Sequence, residues 1–255
     1  MWDPELYGRF ADQRNRPFHE LVARIGATAP ANVVDLGCGD GALTATLAGR
    51  WPSASVLGVD SSEEMLASAA SRKSDRLSFV LERIEDWRPS GPIDVLVSNA
   101  ALQWVPRHLS LLPRVVSALA PRGWLAVQVP GNFEAPSHAT LRTLCDSAHW
   151  SDRLGTAGRW PSTPTPSDYI GTLAELGFAV DAWETTYAQV MRGVDPVLTW
   201  MRGTALRPVY ARLSAEETAE FDAELGAMLR EAYPPQPYGT VLPFRRIFAV
   251  AQAPA

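Results

Sequence analysis

From residue 32 to residue 130 short apolar runs alternate with helix-forming ones, and this alternation leaves few folds open. The runs are NVVDL (32–36), ASVLGVD (54–60), LSFVLE (77–82), IDVLVSNA (93–100) and WLAVQVP (124–130). A run that stays apolar on both faces belongs to a strand covered on both sides, and strands separated by helices form parallel sheets. The intervening stretches supply the helices. GALTATLAGRW follows the first run. SEEMLASAA (62–70) follows the second, capped by Ser61 or Ser62, with Glu63 and Glu64 in the first turn where the helix dipole favours acids. Residues 108–119 form another helix. Ahead of the sheet, NRPFHELVARI (15–25) reads as a helix capped by Asn15, with Pro17 in its first turn and Phe18, Leu21, Val22 and Ile25 on one face. The expected class is α/β, one sheet with helices on both faces.

After residue 130 the rhythm weakens. PSHATLRTLCDSA (136–148) is helical, RWPSTPTPSDY (159–169) reads as a Pro/Ser/Thr loop, and FAVDAWETTY (178–187) and FRRIFAVAQ (244–252) read as strands. Helical stretches near 195–206 and 214–231 lie between them, followed by the loop YPPQPYG. The expected organisation is one domain over 1–255. It comprises an N-terminal helical cover (1–30), a cofactor-binding core (31–135), an acceptor-binding helical lid with late strands (136–243) and a final strand (244–255).

Charge and composition exclude several classes. The net charge is −5 and no basic run occurs, so the footprint of a nucleic-acid binder is missing. No apolar run approaches a membrane span. MWDPELYGRF mixes polar and aromatic residues, unlike a signal peptide. Cys38 and Cys145 make neither a disulfide framework nor a metal spacing. The expectation is a reduced, cytoplasmic enzyme without a metal. Of 23 basic residues only Lys73 is a lysine, the mark of a GC-rich genome, so abundant arginine does not by itself mark a site. His19, His108, His138 and His149 are isolated, and no Ser-His-Asp set is legible.

DLGCGDG (35–41) carries the chemistry. In an open parallel sheet ligands bind beyond the carboxyl ends of the strands. Two cofactors compete for this turn. Gly37, Gly39 and Ala42 satisfy the G-x-G-x-x-G/A pattern that seats a dinucleotide pyrophosphate on a helix N-terminus. Asp35 argues the other way, because a carboxylate there opposes a pyrophosphate. It suits a cofactor with a sulfonium, an ammonium and no phosphate, which is S-adenosyl-L-methionine. Asp60, closing the second strand, can take ribose hydroxyls in either case. The structural alternatives are a turn cap for Asp35 and a helix cap for Asp60.

DLGCGDG, Asp60 and SNAALQW (98–104) together resemble the class I S-adenosylmethionine-dependent methyltransferases. WDPELYGRFADQRNRP (2–17), NAALQWVP (99–106), LAVQVPGNFEAPSH (125–138), VDAWETTY (180–187) and PFRRIF (243–248) resemble the branch of that family that esterifies small polycarboxylates. The resemblance implies a Rossmann-like sheet with a helical lid inserted late in the chain. It implies that Asp35, Gly37, Gly39, Asp60, Ser61, Met65, Arg83, Ile84, Asn99 and Ala100 hold the cofactor, and that Gln103 and Trp104 border the methyl-transfer point. Asn132, Tyr187, Arg16, Arg207 and Arg246 are expected on the acceptor side, Arg246 and then Arg207 by resemblance and Arg16 by position; because the arginine fork pairs both oxygens of a carboxylate, the three are expected to converge as a clamp. One departure stands out. Family members carry an acid after the third strand, near the adenine amino group, where ERIEDW (82–87) has Arg83. That role passes to Glu82, Glu85, Asp86 or the backbone at Ile84.

A carboxylate attacking a sulfonium methyl needs no general base, because a carboxylic acid of pKa about 4 is already ionised at pH 7. The enzyme must align the reacting atoms and exclude water, and alignment can supply roughly 7–11 kcal/mol. A different carboxylate or hydroxyl acceptor on the same fold is the first alternative. A nicotinamide-dependent dehydrogenase or a non-catalytic nucleotide-binding module is the second.

Overall fold

The computed structural model describes residues 11–255, so the stretch MWDPELYGRF lies outside the described residues. Seven strands form one sheet: β1 Asn32–Leu36, β2 Ser55–Asp60, β3 Leu77–Leu81, β4 Ile93–Asn99, β5 Leu119–Pro130, β6 Ala179–Met191 and β7 Thr240–Gln252, in the order β3-β2-β1-β4-β5-β7-β6. β1 to β5 pair in parallel, and β7 runs antiparallel to β5. From β1 the chain builds outward first through β2 and β3, then through β4 and β5. The topological switch therefore lies between β1 and β4.

The helices are α1 Ala11–Ala23, α2 Ala42–Arg50, α3 Glu63–Ala69, α4 Leu112–Val116, α5 Pro136–Cys145, α6 Ser151–Leu154, α7 Pro166–Ala174, α8 Pro196–Arg202, α9 Arg207–Tyr210 and α10 Ala215–Ala232. Three differ from expectation. α1 already includes Ala11, the first described residue, which puts Pro17 inside it rather than in its first turn; the proline lacks an N–H, so one backbone bond is missing there. The helix expected over 108–119 is a 3-10 turn, His108–Leu111, followed by the five-residue α4, and Leu119 already belongs to β5. The loop expected over 159–169 ends early, because α7 starts at Pro166. Thr165 caps it, accepting from the Asp168 N–H at 3.3 Å while Asp168 accepts from the Thr165 N–H at 2.7 Å. Pro166 sits in the first turn, where its missing N–H costs nothing.

The described residues fall into two compact units. One comprises 14–130, 164–185 and 246–255; the other comprises 131–163 and 186–245. The stretch 164–185, expected in the segment of lid and late strands, thus belongs to the sheet unit. The second unit has its own core, with Leu141, Trp150, Leu206, Phe221 and Leu225. In the sheet unit, Val34, Leu36, Leu96, Leu125, Val127 and Ile247 form the core of one face. The register dictates the other face. Asp35 pairs with Val97, Asn99 with Gln128, and Pro130 with Arg246. Residues two apart share a face and so do register partners. Asp35, Asn99, Gln128 and Arg246 therefore lie on one face, toward the carboxyl ends of the parallel strands.

Candidate functional site

β1 ends in a turn that only glycine can make. Gly37 has φ +80° and donates to Val59 O at 2.7 Å, and a Cβ on it would stand 2.1 Å from that of Ala101. Gly39 has φ +57°, yet nothing lies within 4 Å of where its Cβ would be. Its N–H donates to Asp60 Oδ2 at 2.8 Å, and Asp60 Oδ1 accepts from the Ser62 N–H at 2.9 Å. One carboxylate thus braces the turns after β1 and β2. The helix cap is Ser62, whose hydroxyl accepts from the Met65 N–H at 3.2 Å; Ser61 is exposed and Met65 half-buried.

Asp35 is buried, 3% exposed, and accepts from Thr44 Oγ at 2.6 Å. Burial pushes its carboxyl up to about 6; the Thr44 bond opposes the shift and the nearby Asp60 charge adds to it. Cys38, between the glycines, is buried, and burial pushes its thiol up as well.

Beyond β4, Ala100 has φ +53°, uncommon for a residue with a Cβ, and its N–H donates to Gln128 O at 2.9 Å. The Gln103 amide donates to Ala100 O at 2.6 Å, while the buried Asn99 Oδ1 and Gln103 Oε1 have no hydrogen-bond partner. Trp104, expected as a wall, is 54% exposed. Beyond β3, Ile84 is buried beside Gly37. Arg114 holds this segment by donating to the carbonyls of Ile84, Glu85 and Trp87. Arg83 departs from the expected cofactor contact. Its guanidinium is exposed and pairs with Glu85 at 2.8 Å and Asp86 at 3.6 Å.

The expected acceptor residues are spread through both units. In the sheet unit, Arg16 is exposed on α1 and pairs with Glu20 at 2.7 Å, whereas Arg246 is 4% exposed and donates to Gln128 Oε1 at 3.2 Å. In the second unit, Tyr187 is buried and Arg207 exposed. The side chain of Asn132 accepts from Arg245 N at 2.8 Å and donates to Arg245 O at 2.9 Å, a two-ended link that fixes main chain. A cavity of about 670 Å³ in this unit is lined by Asn132, Thr186, Tyr233, Tyr238 and Arg245 among others. It therefore holds the arginine that strand alternation sets opposite Arg246. His138, in the same unit, is half-buried beside Phe133 and Trp160, and loss of solvent, then Arg142, push it down to about 4. His149, Glu220 and Glu224 bring ligand atoms within 4.8 Å of one another, all on exposed residues. His108, in the sheet unit, meets Tyr169 Oη at 2.7 Å.

Thr44 and Gln128 are missing from the residues nominated by sequence. Thr44 gives no local signal, being one hydroxyl nine residues past Asp35. Gln128 gives one, as the single polar residue in the run WLAVQVP.

These residues fit a nucleoside cofactor without phosphates. Open space at Gly39 is a cradle that a side chain would fill. Each Asp60 oxygen keeps a second lone pair for a hydroxyl, and two carboxylates at the mouth of the turn repel a pyrophosphate. Asp60→Ala is expected to weaken S-adenosylhomocysteine binding by about 10- to 100-fold, since a hydrogen bond to a charged group contributes about 1.5–3 kcal/mol. Calorimetry giving an unchanged Kd would contradict this.

The model of the methyltransferase domain family matches residues 9–182. The chain is 52% identical over 255 residues to trans-aconitate 2-methyltransferase of Rhodococcus jostii (strain RHA1), covering 99% of both chains. It is 49% identical over 262 residues to trans-aconitate 2-methyltransferase of Streptomyces avermitilis, covering 100% of this chain and 97% of that one. Among solved structures it is similar in fold to the plantazolicin methyltransferase BpumL in complex with a pentazolic desmethylPZN analogue and SAH. The TM-score is 0.56 at 14% identity, covering 99% of this chain and 92% of that chain.

Proposed function

The chain belongs to the methyltransferase domain family, in the branch of the trans-aconitate 2-methyltransferases, and from that membership we propose that it methylates a carboxylate of trans-aconitate to the methyl ester. The observation that carries this reading is identity near one half over essentially the whole chain. S-adenosylmethionine, when bound, supplies the sulfonium-activated methyl group.

Within the proposed site, Asp60 binds the ribose hydroxyls, and Gly37 and Gly39 leave room along the turn. Asp35 supplies negative charge toward the cationic end. Ser61, Met65 and Ile84 line the adenosine side. Asn99, Ala100, Gln103 and Trp104 border the transfer point and exclude water. Arg246, in the sheet unit, serves an acceptor carboxylate; Arg207 and Tyr187, in the second unit, are named for the acceptor by resemblance. Arg16 and Arg83 are left out, since both guanidinium groups lie at the surface in ion pairs.

Two measurements test the reading. S-adenosylhomocysteine is expected to raise the melting temperature and NAD is not, because only a ligand of the folded state stabilises it. The reverse order would restore the dehydrogenase alternative. At saturating cofactor, kcat is expected to stay flat from about pH 6 to 9 and to fall only as the acceptor carboxylates protonate, near pH 4. An acid limb near pH 7 would point to a histidine base and a hydroxyl acceptor.

A further inference from the structure

We propose that Gln128 and Arg246 form a carboxylate-binding subsite on the sheet, in which the Gln128 amide N–H2 is a specificity-determining donor. That the carboxylate belongs to the methyl acceptor rests on the function proposed above; the subsite rests on the following geometry.

Gln128 is fully buried in β5, in an otherwise apolar run. Its Oε1 accepts from an Arg246 guanidinium nitrogen at 3.2 Å. That bond decides which way the amide faces, because the flipped amide would set N–H2 against the guanidinium. The N–H2 group is thereby turned away from Arg246, and Nε2 is buried with no hydrogen-bond partner. Buried side-chain donors without an acceptor are rare in folded proteins, and each asks for a cause. Here a usable acceptor stands on the neighbouring strand. Asn99 is the register partner of Gln128, on the same face, and its Oδ1 is equally without a partner. The two do not satisfy each other.

The chemistry selects the ligand. A guanidinium and an adjacent amide N–H2 offer two donors and positive charge, which suits the two oxygens of a planar carboxylate. Glutamine orients the guanidinium without cancelling its charge, as glutamate would. A hydroxyl or an amine could not take both donors with matching charge. Both residues are buried, so the carboxylate displaces the side chains that cover this face of the sheet, and binding then completes the donor set.

The test uses the full chain saturated with S-adenosylhomocysteine and titrated with propane-1,2,3-tricarboxylate in a calorimeter. The wild-type protein is expected to bind it. Gln128→Leu and Gln128→Glu are each expected to weaken binding at least tenfold, the second because its carboxylate occupies Arg246. Both should leave S-adenosylhomocysteine affinity within twofold. Arg245→Met, altering the cavity of the second unit, should leave tricarboxylate binding unchanged. If Gln128→Leu does not fold, Gln128→Met is read in the same way. No binding by the wild type, wild-type affinity in the Gln128 variants, or a loss confined to Arg245→Met overturns the subsite. Gln128-dependent binding without methylation of trans-aconitate would leave the subsite standing and remove the proposed function. Methylation at wild-type KM in Gln128→Leu would do the opposite.

Discussion

Replacing Gly39 by valine is expected to lower affinity for S-adenosylhomocysteine by more than about 100-fold, a loss of about 2.8 kcal/mol or more, in a protein that still folds. The two halves of this expectation have separate causes. At φ +57° a residue with a Cβ is strained by about 1–2 kcal/mol, which in a chain of this size lowers the melting temperature by about 2–8 °C. Nothing in the protein meets the new side chain, since the space around that Cβ is open to 4 Å. The loss of affinity therefore comes from the cofactor's own volume. Gly37 makes the contrast, because a Cβ there would run into Ala101 at 2.1 Å, so its variants should lose the fold first. Wild-type affinity in a folded Gly39→Val protein would place the cofactor elsewhere.

The second large effect is expected at Asp35, where stability and binding should move in opposite directions. Its carboxyl is raised by burial from 3.8 to about 6. A raised carboxyl favours the folded state fully below pH 4, and that contribution is lost as pH rises through about 6. At pH 8 the buried charge thus costs roughly 3 kcal/mol, about two pKa units at 1.36 kcal/mol each. Asparagine keeps an oxygen to accept from Thr44, whose Oγ lies 2.6 Å from the carboxylate, and carries no charge. Asp35→Asn without ligand is expected to melt several degrees above wild type at pH 8 and level with it at pH 4. Its affinity for S-adenosylmethionine should fall about 10- to 100-fold, losing a charged interaction of about 1.5–3 kcal/mol. Wild-type affinity should decline as pH drops below about 6 while the variant's stays flat. A variant less stable at pH 8, or one binding as tightly as wild type, would refute the role given to Asp35.

The parallel half of the sheet is legible because burial on both faces writes itself as unbroken apolar runs. NVVDL matches β1 residue for residue, and ASVLGVD and LSFVLE match β2 and β3 to within one residue. The glycine turn is legible for the same kind of reason, since positive φ selects glycine. Legibility fails where a residue's role depends on partners far along the chain. Thr44 gains meaning only when the helix after the turn folds back on Asp35. Asn132 lines a cavity, as a pocket residue would, but its link to the Arg245 main chain is invisible until β7 brings Arg245 to it from 113 positions away. Arg83 looks like a cofactor contact until Glu85 and Asp86 take its guanidinium. α7 is hidden by its own start signal. A proline after threonine reads as a breaker, and only Asp168 three residues past Thr165 marks it as a capping box. Gln128 is the instructive case, because a lone amide in an apolar strand is visible without any structure. What sequence could not give was the direction of its N–H2 group, which Arg246 sets.

The most direct measurement is transfer of isotopically labelled methyl from S-adenosylmethionine to trans-aconitate by the purified protein, followed by mild alkali treatment of the product. A carboxyl methyl ester releases its label as methanol in alkali, whereas a methyl ether does not. The result predicted here is label on trans-aconitate, alkali-labile, with much weaker transfer to simple dicarboxylates. No transfer to trans-aconitate, or label that survives alkali, would contradict the central claim.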